Sequence, residues 1–260
     1  GNGTDPLTFT DAGGAVNELD NVAAVETIAL GDATTVVTTV DALVASGATL
    51  TVTAAALTGS NTLTWTGSAE NDGKFSITGS GNNDTILGGA LADTIDGAAG
   101  NDSITAGAGA DSIVGGANDD TIVLAGNLTV ADTIAGGTGA DTLTFTDAGG
   151  AVNELDNVTT VETITLGDAA TAVTTVDALV ASGATLTVDA TALTSGGSTL
   201  TWTGSAENDG KFSVTGGANN DTILGGAVAD TIDGAAGNDS ITGAAGNDSI
   251  TAGAGDDIID

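Results

Sequence analysis

Apolar positions along this chain recur in short alternating runs. In Thr62-Leu63-Thr64-Trp65-Thr66, leucine and tryptophan fall on one side and threonines on the other. A period of two predicts a strand with one buried face. The same alternation marks Leu7-Thr8-Phe9, Thr27–Leu30, Thr35–Val40, Thr49–Val52 and Lys74–Ile77. From Leu50 the spacing of these runs shrinks through 13 and 12 residues towards nine. Gly79–Val123 then divides into five nine-residue pieces: GSGNNDTIL, GGALADTID, GAAGNDSIT, AGAGADSIV and GGANDDTIV. Every piece carries Asp at its sixth place and Ile at its eighth, and five more pieces occupy Gly216–Asp260. Two segments look different. Leu19, Val22, Val25 and Ile28 fall three apart, and Val40–Ser46 ends at Gly47. Both predict short helical turns packed into the core.

Glycine in the first four places lets the backbone turn tightly, and the β-branched second half of each piece favours a strand. One turn and one short strand per piece predict a coil whose like strands stack about 4.8 Å apart. The eighth-place residues Ile86, Ile95, Ile104, Ile113 and Ile122 would then form an inward ladder. The sixth-place Asp closes each turn and would stack on its equivalent in the turn above. Carboxylates that close repel unless a cation intervenes. Turn carbonyls and Asp oxygens offer the all-oxygen shell of six or more ligands that suits Ca²⁺. Calcium is therefore expected to be part of the fold.

The sequence repeats itself at about 136 residues. Asp5–Ala48 recurs as Asp141–Ala184, Trp65 recurs as Trp202, and Glu70 as Glu207. The first long repeat is residues 1–136, with a spacer at 6–78 and nonapeptides at 79–123 and 127–144. The second is 137–260, with a spacer at 145–215 and nonapeptides at 216–260. Gly1–Asp5 reads as the tail of a further nonapeptide, which implies a window on a longer array. The six spacer runs plus those at Ile86, Ile95, Ile104, Ile113, Ile122 and Ile134 make twelve. Two per coil would give six coils, with successive copies in phase. Glu70-Asn71-Asp72-Gly73-Lys74, repeated at Glu207–Lys211, reads as a solvated charged turn, with an additional calcium site as the alternative.

Composition narrows the function. The chain has 35 acidic residues and two basic ones, Lys74 and Lys211, for a net charge of −33. Nucleic acid is excluded as a partner, because phosphates need a basic surface. Self-repulsion on this scale expands an ion-free chain, which again points to a cation. With no His, Cys, Tyr or Arg, the usual catalytic bases and nucleophiles are missing, so no enzyme activity is expected. No run of about 20 apolar residues exists to span a membrane. Only six aromatic side chains suit a narrow coil better than a globular core.

The nonapeptides resemble the GGxGxDxUx calcium-binding repeat of RTX proteins over Gly79–Val123, Asn127–Thr144 and Gly216–Asp260. The resemblance implies an all-β fold, a parallel β-solenoid (β-roll) with calcium-binding turns, continuous through both repeats. It implies multiple Ca²⁺ ions held by Asp84, Asp93, Asp102, Asp111, Asp120, Asp132 and Asp141. In the second copy it implies Asp221, Asp230, Asp239, Asp248 and Asp257. It further implies folding outside the cell after type I secretion. Leu91 and Val228 replace the fourth-place glycine, and Asn127–Ala135 has almost no glycine in its turn, so the pattern is weakest there. The long near-identical repeat and the Thr-rich strands look like surface layers, giant adhesins and extracellular fibres. The expectation is a structural solenoid that self-associates end to end or laterally, with cell-surface polysaccharide as a further candidate partner. An adhesin stalk and an export module of an enzyme or toxin are the alternatives.

Overall fold

The computed structural model describes residues 6–10, 19, 21–22, 25–146 and 153–260. The predicted nonapeptide tail Gly1–Asp5 lies outside them. Contacts divide the chain into two compact units, Gly1–Val123 with Asp132–Asp141, and Leu124–Ala131 with Thr142–Asp260.

In the first unit the strands are β1 (Pro6–Phe9), β2 (Thr27–Leu30), β3 (Thr35–Thr38), β4 (Thr49–Thr53), β5 (Leu63–Thr66) and β6 (Lys74–Thr78). They continue as β7 (Thr85–Leu87), β8 (Thr94–Asp96), β9 (Ser103–Thr105), β10 (Ser112–Ala117), β11 (Thr121–Ala125) and β12 (Thr133–Thr138). These are the twelve runs read from the pattern. One face is ordered β1-β2-β4-β6-β8-β10-β12 and the other β3-β5-β7-β9-β11. Among the described residues the strands pair in parallel, as in β4 on β6, where Leu50 meets Phe75 and Val52 meets Ile77. The unit is thus a parallel β-solenoid with two strands to a coil.

Two expectations need correction. Successive nonapeptides lie on opposite faces, so their isoleucines form two ladders. Ile86 stacks on Ile104 and Ile104 on Ile122, while Ile77 stacks on Ile95, Ile95 on Ile113 and Ile113 on Ile134. A coil is therefore two nonapeptides long. Secondly, β1 pairs directly with β2, in register from Pro6↔Thr27 to Phe9↔Leu30. Both strands therefore lie on one face, so the strict alternation between faces expected of the twelve runs does not hold there.

The second unit repeats the plan. Its strands are β13 (Thr142–Phe145), β14 (Val158–Thr159), β15 (Thr163–Leu166), β16 (Thr171–Thr174), β17 (Thr185–Asp189) and β18 (Leu200–Thr203). They continue as β19 (Lys211–Thr215), β20 (Thr222–Leu224), β21 (Thr231–Asp233), β22 (Ser240–Thr242), β23 (Ser249–Thr251) and β24 (Ile258–Ile259). One sheet holds β13-β15-β17-β19-β21-β23 and the other β16-β18-β20-β22-β24. The short β14 falls between β13 and β15 in the chain and belongs to neither of these two sheets.

Among the described residues, neither segment expected to form a short helical turn contains a helix. Val22 N–H donates to Leu19 O at 3.0 Å and Leu43 N–H to Val40 O at 3.0 Å, each closing a single turn. Gly47, at φ +73°, ends the second of these turns. Their apolar residues do enter the core, since Leu19, Leu43 and Val44 are buried.

Inside each unit the two sheets face each other across a thin apolar layer. Ile, Leu and Val from both sheets fill it, and Trp65 packs edge-on against Phe75 with ring centroids 5.5 Å apart. Trp202 and Phe212 repeat this at 5.4 Å. The benzene ring of Phe75 fills the space where a side chain on Gly67 would stand. The outer sides of the strands carry Thr and Ser, as in the exposed-buried-intermediate pattern of Thr94-Ile95-Asp96. Because each core layer is one side chain deep, neighbouring coils cannot collapse into a void. Ile104→Ala is therefore expected to cost about 2–5 kcal/mol. Thr94→Ala on the outer face should cost under about 1 kcal/mol. Denaturant melts of both variants in calcium check this, and equal losses would mean that the ladder does not hold the coils.

Candidate metal centre

The candidate centres are built at the turns, by the sixth-place aspartates. In the 97–105 piece the chain passes Ala98 at φ +78° and Gly100 at φ +118° before reaching Asp102. At Gly100 a side chain would collide with the backbone of Asn82 one coil back, so glycine is required there. The turn then delivers Asp102 into the wall between coils, where it is buried. Asp84, Asp93, Asp111, Asp120, Asp132, Asp141, Asp221, Asp230 and Asp239 are buried in the same way, and Asp248 and Asp257 are half-buried.

All twelve share one contact. Each Oδ1 accepts a backbone N–H from the coil before. Leu63 N–H donates to Asp84 at 2.7 Å, Asp84 N–H to Asp102 at 2.7 Å, Asp102 N–H to Asp120 at 2.8 Å and Asp120 N–H to Asp141 at 2.8 Å. A second column starts at Phe75 N–H and runs through Asp93, Asp111 and Asp132 at 2.7, 2.8 and 2.7 Å. In the second unit Leu200 leads to Asp221, Asp239 and Asp257, and Phe212 leads to Asp230 and Asp248. The sequence placed the carboxylates in stacked rows but did not show that each also secures the coil beneath it. The signal was present in the spacing, since the contacts join residues 18 apart within the nonapeptides and 21 apart where a turn is longer.

The second oxygen is the one open to a cation. In some turns it accepts from the turn's own second place, as Gly89 N–H does to Asp93 Oδ2 at 2.7 Å and Gly226 N–H to Asp230 Oδ2 at 2.7 Å. Asp102, Asp120 and Asp239 have a buried Oδ2 that accepts no hydrogen bond. Beside this atom lies a main-chain oxygen from the next coil. A methyl on Gly115 would sit 2.5 Å from both Asp120 Oδ2 and Gly136 O, and one on Gly225 would sit 2.5 Å from Gly243 O and 2.6 Å from Asp230 Oδ2. First-place glycine thus clears the way for a carboxylate and a carbonyl to converge. Oxygen-only donors carrying negative charge are what Ca²⁺ selects.

Electrostatics reinforce the point. Burial, together with Asp84, Asp120 and Asp96 nearby, pushes the Asp102 carboxyl up to about 7. Burial and the neighbours Asp93 and Asp132 push Asp111 up to about 6, and burial with Asp141 and Asp119 does the same to Asp120. Asp84, Asp93, Asp221, Asp230 and Asp239 are raised mainly by burial. A divalent cation reverses this pressure by favouring the ionised form. The residues present therefore fit the ion.

The turns that depart from the pattern still place their aspartates. Leu91 and Val228 take the fourth place without positive φ, yet Asp93 and Asp230 keep both carboxylate contacts. The glycine-poor turn before Asp132 likewise preserves the bond from Asp111 N–H. The turn at Glu70 differs from its reading. Asp72 is exposed, but Glu70 and Glu207 are buried at 0 % exposure, so the turn is solvated at its rim and closed at its base.

Parallel coils with oxygen-lined turns define a cation-binding β-solenoid. Residues 76–95, 87–122, 130–144, 213–232 and 233–260 match the family described as RTX calcium-binding nonapeptide repeat (4 copies). Over these segments the chain carries RTX calcium-binding nonapeptide repeats, which bind Ca²⁺. No curated protein matches the chain. No helix among the described residues is long and apolar enough to cross a membrane.

Asp102→Asn keeps an oxygen for Asp84 N–H but removes the charge, and should raise the calcium needed for half-maximal folding by about tenfold. Asp102→Ala also leaves a buried N–H unmet, a further cost of about 1–3 kcal/mol even at saturating calcium. Circular dichroism during a Ca²⁺ titration separates the two effects. Identical curves for both variants would show that the cap contributes nothing.

Proposed function

We propose that this chain is a structural element of an extracellular assembly, a surface layer, sheath or filament, made rigid by Ca²⁺ between its coils. The twelve sixth-place aspartates, from Asp84 to Asp141 and from Asp221 to Asp257, serve as the side-chain ligands. Export to the bacterial cell surface by type I secretion accompanies this reading, since calcium outside the cell would then trigger folding. The supporting observation is that the same coil is built twice. The isoleucine ladders, the Trp–Phe pair and the aspartate columns of one unit all recur in the other. An architecture repeated in this way serves length and stiffness. Catalysis forms no part of the reading, because His, Cys, Tyr and Arg are missing from the sequence and the carboxylates are committed to coil and cation.

An adhesin stalk uses the same coil only to extend a binding tip, and an RTX export module uses it to fold a passenger. Assembly distinguishes them. Negative-stain images taken while Ca²⁺ is raised from zero should show ordered fibres or sheets following the gain of β-structure. Folding into single particles that never associate would favour the stalk or module. A chain already folded in chelator would overturn the calcium dependence itself.

A further inference from the structure

The nonapeptides leave one pair of acidic groups unexplained, both in the spacers. Asp41, Glu70 and Asp72 present ligand oxygens within 4.8 Å of one another, and Asp177, Glu207 and Asp209 do the same in the second copy. Asp41 follows β3, and Glu70 and Asp72 follow β5 one coil later. The backbone and side-chain N–H groups of Asn71 hold Asp41 Oδ1 at 2.9 and 3.2 Å, which fixes it over the turn. Asn208 holds Asp177 at 2.9 and 3.0 Å.

The glutamate supplies a second, separate reason to look for a ligand. Glu70 and Glu207 are fully buried, and one oxygen of each accepts from a glycine amide, Gly73 at 2.8 Å and Gly210 at 2.9 Å. The other oxygen of Glu207 is buried with no hydrogen bond at all. In the first copy it receives only a 3.3 Å contact from Val44 N–H. Lys74 and Lys211 are the sole basic side chains of the chain, and among the described residues neither forms an ion pair with these glutamates. A buried carboxylate with an orphaned oxygen is costly, and the neighbouring Asp pair adds repulsion rather than relief. Three carboxylates thus converge on one turn, an arrangement that a bound cation would stabilise.

We propose that Asp41–Glu70–Asp72 and Asp177–Glu207–Asp209 are two further divalent-cation sites, built for Ca²⁺ and separate from the nonapeptide turns. Oxygens at this spacing suit one ion at Ca–O distances of about 2.4 Å, with water completing the shell on the exposed Asp side. Each ion ties the turn after one spacer strand to the turn of the next coil. It does so where the spacer lacks the nonapeptide's own aspartate column. Gly73 and Gly210 are required because Val44 and Val180 press against the position of any side chain there, which keeps the glutamate closed in.

The test counts ions bound to the full chain at saturating Ca²⁺, by equilibrium dialysis and metal analysis. Glu70→Gln with Glu207→Gln should bind two fewer Ca²⁺ per chain while the nonapeptide sites still fill. Asp41→Asn with Asp177→Asn changes only exposed residues, so it decides the matter if the glutamine variant fails to fold. It should weaken two sites by about tenfold or more and leave the rest alone. Wild-type stoichiometry and affinity in the aspartate variant would overturn the proposal. Neither result depends on whether the chain assembles, so this test and that of the assembly reading fail separately.

Discussion

A carboxylate oxygen set against the backbone amide of the neighbouring coil is the contact on which this structure depends. It satisfies an amide that the strand ladder leaves over at each turn, and a buried unmet N–H is expensive. It also drives an anion into the wall of a chain that carries a charge of −33. The same side chain therefore stabilises the coil geometrically and destabilises it electrostatically. Calcium resolves the conflict, because the oxygen left over from capping is the one that meets the neighbouring carbonyl. Fold and ion binding are thus a single event in this architecture.

The strands were legible in the sequence because period-two alternation and the β-branched eighth place are local signals. Ile95 needs no distant information to be assigned to a core, and all twelve runs of the first copy became strands. What was not legible was which face each run joined. The nine-residue period suggested one ladder through Ile86, Ile95 and Ile104, whereas pairing places Ile86 on Ile104 and sends Ile95 to the other sheet. The direct pairing of β1 with β2 was equally hidden, because alternation within each run does not say which other run it will pair with.

The aspartates illustrate the same division. Their identity and stacking followed from position six, but the acceptor role of Oδ1 follows from burial and from a partner one coil away. Glu70 was harder still. Its neighbours Asn71, Asp72 and Gly73 are all turn residues, and that context suggested solvent. Only its contact with Gly73 and the approach of Val44 show that it closes the base of the turn. Asp41 lies 30 residues from Asn71, and nothing local connects them.

The direction of these contacts has a mechanical consequence. Strand hydrogen bonds and aspartate caps within a unit all join one coil to the next, so they lie along the stacking direction. Tension applied along that direction loads the bonds of one interface in opening, not in sliding past one another. Each coil then yields as a separate event and lengthens the chain by its own residues, while the coils on either side stay folded. Such a material absorbs work in small instalments. Because the apolar ladders are in register, a released coil can close again once the load falls, with calcium setting how firmly it re-latches.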